Sequence, residues 1–230
     1  MVLAAHQPNY LPWLGFFHKM ARCDVFVLLD GVQYARRSYT ARCLVKRPDG
    51  AKHWLSVPVR KTGRYDQAIS QVEVLNETRW QQAHRRTLES CYSRSPHFDA
   101  QQGLLDLAYA KRWTGLSEMN TALIIELAAA LGIQPRIVKL SELAIDAHST
   151  GLLVAICEKL GASTYRSGPS GGKYLEAGKF AQAGITLDVL HYRPQPHPQL
   201  WGDFVPGLSV VDMLFNCGTD AVRREIGEAR

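Results

Sequence analysis

The first thirty residues constrain the fold most. Val2 to Ala5 is an apolar run, Leu14 to Ala21 has helical spacing, and Asp24 to Leu29 is a second apolar run. Two buried strands joined by a short helix pair in parallel, because the helix returns the chain to its starting edge. The pattern resumes toward the C-terminus. Arg136 to Leu140, Ser163 to Arg166 and Ile185 to Tyr192 read as strands, alternating with helices over Leu152 to Leu160 and Lys173 to Ala183. Alternation of this kind predicts an α/β fold, a mostly parallel Rossmann-like sheet flanked by helices. With 230 residues, 46% of them hydrophobic, one domain over residues 1–230 can bury its own core.

The middle of the chain breaks the pattern. Arg42 to Lys46 and Lys52 to Pro58 flank Pro48-Asp49-Gly50, turn chemistry that predicts an inserted β-hairpin. Ile69 to Leu75 alternates imperfectly and reads as a further strand. Arg79 to Tyr92 and Asn120 to Leu131 carry apolar residues at helical spacing, the latter with Ser117 as N-cap and Gly132 as stop. Arg193 to Pro206, with four prolines, reads as a loop. Ser209 to Asn216 reads as a helix, and the charged tail from Asp220 as a short exposed one.

The junction after the first strand carries most of the chemistry: His6-Gln7-Pro8-Asn9-Tyr10-Leu11-Pro12-Trp13. In an open α/β sheet, ligands bind where strands end and helices begin. Two prolines stiffen the segment, so its polar side chains are held in place. His6 is the leading catalytic residue, since an imidazole exchanges protons near neutral pH. Gln7, Asn9, Tyr10 and Trp13 stand beside it as substrate contacts. Asp30 ends the second strand and Gln33 follows, which puts both at the edge that carries His6. Asp30 therefore reads as a second catalytic residue that orients His6 or binds an amine. Turn capping is its plainer role.

Further candidates lie downstream. Arg42 offers a planar fork for phosphate or carboxylate. Ser167 and Gly168 open a glycine-rich strand-to-helix turn through Ser170 to Lys173 whose amides can face an anion. It is not a Walker A loop, because Ser167 stands where its first glycine belongs and Tyr174 replaces its Ser or Thr. Gln199, with His197, sits in the proline-rich loop, and Asp212 and Asn216 share a helical face. No histidine–cysteine–carboxylate set has metal-ligand spacing.

The long motif HQPNYLPWLGFF resembles the WbqC-like family of bacterial proteins, as do Cys23 to Asp30, Val32-Gln33-Tyr34, His53 to Val59, Leu116 to Asn120, Tyr165 to Gly168 and Leu208 to Asp212. That family is associated with O-antigen and other surface-polysaccharide gene clusters. Where it tends to show Asn-Arg-Asn, this chain has Ala41-Arg42-Cys43, keeping the arginine and losing both amides. The resemblance implies transfer of an acyl or aminoacyl group, glycyl among them, from a carrier-protein thioester to an amine such as an amino sugar. A phosphopantetheine arm would then enter with the carrier protein, and no other cofactor is expected. The fold also invites comparison with nucleotidylyltransferases, which hold phosphate against a histidine-rich first loop. The second histidine of their H-x-G-H motif is missing here, which weighs against adenylyl or cytidylyl transfer; nucleotidyl transfer or nucleotide-dependent activation at the His6 loop is the alternative. A non-catalytic adaptor is a third.

Composition narrows the setting. No stretch approaches the ~18 apolar residues of a membrane span. Five cysteines without C-x-x-C spacing fit reduced thiols and a cytoplasmic protein. Cys23 and Cys157 read as small hydrophobes, and Cys43, in the hairpin, as the thiol with most to stabilise its thiolate. Arg36, Arg37, Arg42, Lys46, Arg47, Lys52, Arg60, Lys61 and Arg64 face only Asp49 within their stretch. Such a cluster attracts an anionic small molecule or an acidic carrier protein. Nucleic acid is not expected, because no binding motif accompanies the charge.

Overall fold

The computed structural model describes residues 1–169, 171 and 174–227. Five strands form one parallel sheet: β1 (Val2–His6), β2 (Val25–Leu28), β5 (Arg136–Lys139), β6 (Thr164–Ser167) and β7 (Thr186–Val189). Their spatial order is β5-β2-β1-β6-β7, and every pairing is parallel. The first three strands in sequence therefore run outward one way and the last two the other. The order reverses between β1 and β6, the switch point at which open α/β sheets hold ligands. Strands β3 (Arg42–Lys46) and β4 (Lys52–Ser56) make a separate antiparallel hairpin.

Two apolar layers clothe the sheet because both faces of a parallel strand must be covered. One contains Leu3, Ala5, Val25 and Val27 with Leu153 and Ile156 of α5 (Ser149–Leu160) and Phe180 of α6 (Ala177–Gln182). The larger one joins Ala4, Phe26 and Leu28 to Phe16 and Phe17 of α1 (Leu14–Met20). It continues through α2 (Trp80–Tyr92), α3 (Gln102–Tyr109), α4 (Leu116–Ala130), α7 (Val210–Cys217) and α8 (Thr219–Ile226). Alternate residues of β1 and β2 enter opposite layers, as the two-residue strand period requires.

Several expectations need correction. Ile69 to Leu75 is no ladder strand: it opens with a single 3₁₀ turn over Ile69–Gln71, with isolated pairings such as Val59 with Val74. Ile69 and Val72 are both fully buried, and a spacing of three suits that turn. Helix α4 begins at Leu116, and Gly115 rather than Ser117 is its N-cap. Helix α6 begins at Ala177, and before it the Leu175 N–H donates to the Gly171 carbonyl. Ser170, Gly172 and Lys173 lie outside the described residues. The C-terminal helix is not simply exposed, because Val222 and Ile226 are buried and the Ile226 carbonyl meets His18 Nδ1 at 3.0 Å.

Candidate functional site

The strand pairing puts His6 opposite Leu28 and Ala4 opposite Arg166, so β1, β2 and β6 end together. His6, Asp30 and Ser167 thus share one edge of the sheet. A cavity of about 230 Å³ opens there, lined by His6, Trp13, Gly15, Lys19, Ser167, Gly168, Pro169, Gly171, Tyr174, Leu190 and Tyr192. It lies at the order reversal between β1 and β6.

The loop after β1 is fixed from both sides. Asn120 Nδ2 in α4 donates to the Pro8 carbonyl at 2.8 Å and to that of Thr40 at 2.7 Å. Ser209 Oγ donates to the Leu11 carbonyl at 2.7 Å, and the Val210 N–H to that of Pro12 at 2.8 Å. The loop thereby turns Trp13 over the first turn of α1. A Cβ at Gly15 would stand 2.3 Å from the Trp13 ring, so only glycine lets the indole lie there. Gly171 approaches Ser167 as closely, where an added Cβ would meet Oγ at 1.7 Å.

Within the cavity, His6 Nδ1 lies 3.0 Å from the Gln7 carbonyl, which makes Nδ1 the protonated nitrogen and leaves Nε2 with its lone pair. Burial and the neighbouring Lys19 charge push the imidazole down to about 3, against a smaller upward pull from the Gln7 carbonyl. His6 is therefore neutral near pH 7. Lys19 is only 7% exposed, and its Nζ donates to the Ala5 carbonyl at 2.8 Å. Burial lowers its ammonium to about 8. Lys19 escaped sequence reasoning; the signal was its position four residues after Gly15, which stacks the two on one helical face.

Other predicted residues are at the edge but engaged elsewhere. Asp30 is buried and accepts from Ser141 N at 2.9 Å, Ser141 Oγ at 2.8 Å and Ser117 Oγ at 3.4 Å. It ties the end of β2 to the segment after β5. Gln7 Oε1 accepts from Thr40 Oγ1 at 3.3 Å, and Asn9 is buried outside the cavity lining. Tyr10 lies in the core, its hydroxyl 2.5 Å from that of Tyr109 and 3.1 Å from His84 Nδ1. Gln33 donates to Asp66 Oδ1 at 3.0 Å, on another surface.

A second cluster forms beyond Trp13. Asp212 is buried and accepts from Tyr92 hydroxyl at 2.9 Å, Gln199 Nε2 at 2.7 Å and His197 Nε2 at 3.1 Å. Asn216 donates to the Asp212 carbonyl at 2.8 Å and accepts from Leu200 N at 3.2 Å. The associated gap is only about 10 Å³, too small for a ligand. Gln199, Asp212 and Asn216 thus pin the loop 193–206 and do not line the His6 cavity.

The hairpin departs from its expected chemistry. Lys46 is buried, with Nζ donating to the Asp203 carbonyl at 2.6 Å, so it fastens the same loop. Arg60 and Arg64 pair with Glu73, and Arg47 with Asp49. Arg42 lies 3.8 Å from the Trp54 ring centre, away from the cavity lining. Cys43 is buried, and burial pushes its thiol up, the reverse of a stabilised thiolate. Cys23, expected to be a small buried hydrophobe, is only partly buried, whereas Cys157 is buried. Among the described residues all five cysteines are free and no metal-ligating cluster occurs. No described helix is long and apolar enough to cross a membrane.

The WbqC-like protein family pattern matches residues 7–224. An uncharacterized protein of Mycobacterium tuberculosis (strain ATCC 25618 / H37Rv) is 33% identical over 221 residues, covering 95% of each chain. No solved structure gives a significant match. A match running from the loop after β1 into α8 places this chain in the WbqC-like protein family.

Proposed function

We propose that the protein is an enzyme that transfers an acyl or aminoacyl group from a carrier-protein thioester to an amine. The observation that carries this reading is the cavity itself. At about 230 Å³ it is smaller than the sites that enclose whole cofactors or drug-sized ligands, and suits the reacting end of a long, tethered donor. The amine nitrogen attacks the thioester carbonyl carbon, forming the C–N bond, and the C–S bond breaks. The amine proton passes to the free Nε2 of His6 and ends on the departing sulfur. Ser167, whose hydroxyl donates at 3.1 Å to the carbonyl of its neighbour Gly168, can turn to the developing oxyanion.

Arg36, Arg37, Lys52 and Lys61 are exposed, and none is in an ion pair among the described residues. They suit an acidic carrier protein and its phosphopantetheine arm, or an anionic sugar nucleotide, in a reducing, cytoplasmic setting that five free thiols also favour. Nucleotide-dependent activation has one observation in its favour, the strand order with a cavity at its reversal. Calorimetry with nucleoside triphosphates and magnesium separates the two. Heat of binding with pyrophosphate release supports activation, whereas amide formation without nucleotide supports direct transfer.

A further inference from the structure

Lys19 lines the cavity, is 93% shielded from solvent by the complement of its 7% exposure, and pairs with no carboxylate among the described residues. Its ammonium donates to the neutral Ala5 carbonyl. A buried ammonium without a counter-charge is costly unless something else supplies one. Among the described residues, the cavity beside it is lined by no acidic side chain, and holds a serine hydroxyl and two tyrosines. We infer that this cavity also takes a carboxylate carried by the small amine substrate, beside the donor's reacting end, and that this carboxylate supplies the counter-charge of Lys19. Among the described lining residues, one compact ammonium and no arginine fork suit a carboxylate better than a phosphate dianion.

This deepens the proposed function and rests on its premise that the cavity receives a substrate. A bound carboxylate neutralises Lys19, and the Lys19 charge is one of the two causes that hold the His6 imidazole down. Substrate binding therefore raises the basicity of Nε2 and prepares His6 to accept the amine proton. The groups that face Lys19 are His6 from β1, Cys23 beyond α1, and Tyr174 and Tyr192 at the lining. Burial holds Cys23 up at about 12, and Tyr192 is likewise raised, by burial and Glu225.

The test is an NMR titration of the full chain, following the His6 ring nitrogens, with acetate, acetamide and inorganic phosphate as probes. Acetate is expected to saturate the shift and to raise the His6 pKa, with acetamide silent and phosphate weaker. Since Lys19 loses its proton near 8, acetate affinity should fall about tenfold from pH 7 to pH 9. The fall should persist in Tyr174→Phe, and Lys19→Met should lose acetate binding at least tenfold. The inference is overturned if acetate affinity is equal at the two pH values, if acetamide matches acetate, if phosphate binds more tightly, or if no probe binds. The wild-type pH comparison decides even if Lys19→Met does not fold. Acetate binding without any acyl transfer would refute the proposed function alone; transfer without carboxylate binding would refute this inference alone.

Discussion

Lys19 and His6 face one cavity from adjacent elements: the lysine Nζ is bonded to the carbonyl of Ala5, and its charge helps to keep the neighbouring imidazole neutral. Removing that charge should free the histidine in part. In Lys19→Met the His6 pKa should rise above its present value of about 3, yet stay below the ordinary 6.5, because burial is the larger cause and remains. A pH titration of the His6 ring by NMR checks this, and an unchanged value would contradict the pairing.

Lys19 also makes stability depend on alkaline pH. Its folded ammonium gives up its proton at about 8, below the ordinary 10.5, so the unfolded chain binds the extra proton between those values. Stability should therefore rise with pH across that window, by about 3 kcal/mol for this group. Lys19→Met should be more stable than wild type near pH 7 and should lose the advantage above the window. Urea unfolding at both ends reads the difference.

On the acid side, His6 and His84 are lowered to about 3 and about 4 by burial. Their contribution is complete above 6.5 and is lost as pH falls through the folded values. His6→Asn should melt close to wild type at pH 7. At pH 4.5 it should have lost about 2 kcal/mol less than wild type. Equal acid sensitivity would show that His6 is not buried neutral.

Asp30 and Asp212 should act on stability. Asp30→Ala leaves the Ser141 N–H and two hydroxyls without their acceptor and should cost about 2 kcal/mol or more. Asp212→Ala strands Tyr92, Gln199 and His197 and should cost about 3 kcal/mol. It should also make the loop 193–206 a protease target. Unchanged denaturation midpoints would contradict both.

Thiol labelling follows burial. Cys43, Cys91 and Cys157 are buried, and burial raises all three thiols. In the native protein the partly exposed Cys217 should react first, and Cys43→Ala should leave turnover within several-fold. Rapid labelling of Cys43 would argue against its place in the core.

Much of the sheet was legible because buried parallel strands are continuous apolar runs, and Val2 to Ala5 and Asp24 to Leu29 are such runs. Part of the cavity followed from them: His6 and Ser167 end strands, Gly168 follows at once, and strand carboxyl ends gather at one edge. Lys19 did not, because a lysine on a short helix reads as solvated, and the Ala5 carbonyl and Phe26 ring that receive its Nζ lie on other elements. Nor did the partners of Asp30, since Ser141 is 111 residues away in sequence. Helix α3 was overlooked although Leu104, Leu105 and Ala108 carry its spacing.

The most direct test is the transfer reaction itself. Wild type and His6→Asn are incubated with aminoacyl-loaded carrier protein and a panel of amines, amino sugar nucleotides included, with amide and free thiol followed by mass spectrometry. Wild type should form amide with one thiol released per turnover. His6→Asn should be slower by roughly a hundred- to ten-thousandfold, the range for loss of a general base, with its melting temperature near that of wild type. No amide from any donor–amine pair, or equal rates for the two proteins, would contradict a transfer site built on His6.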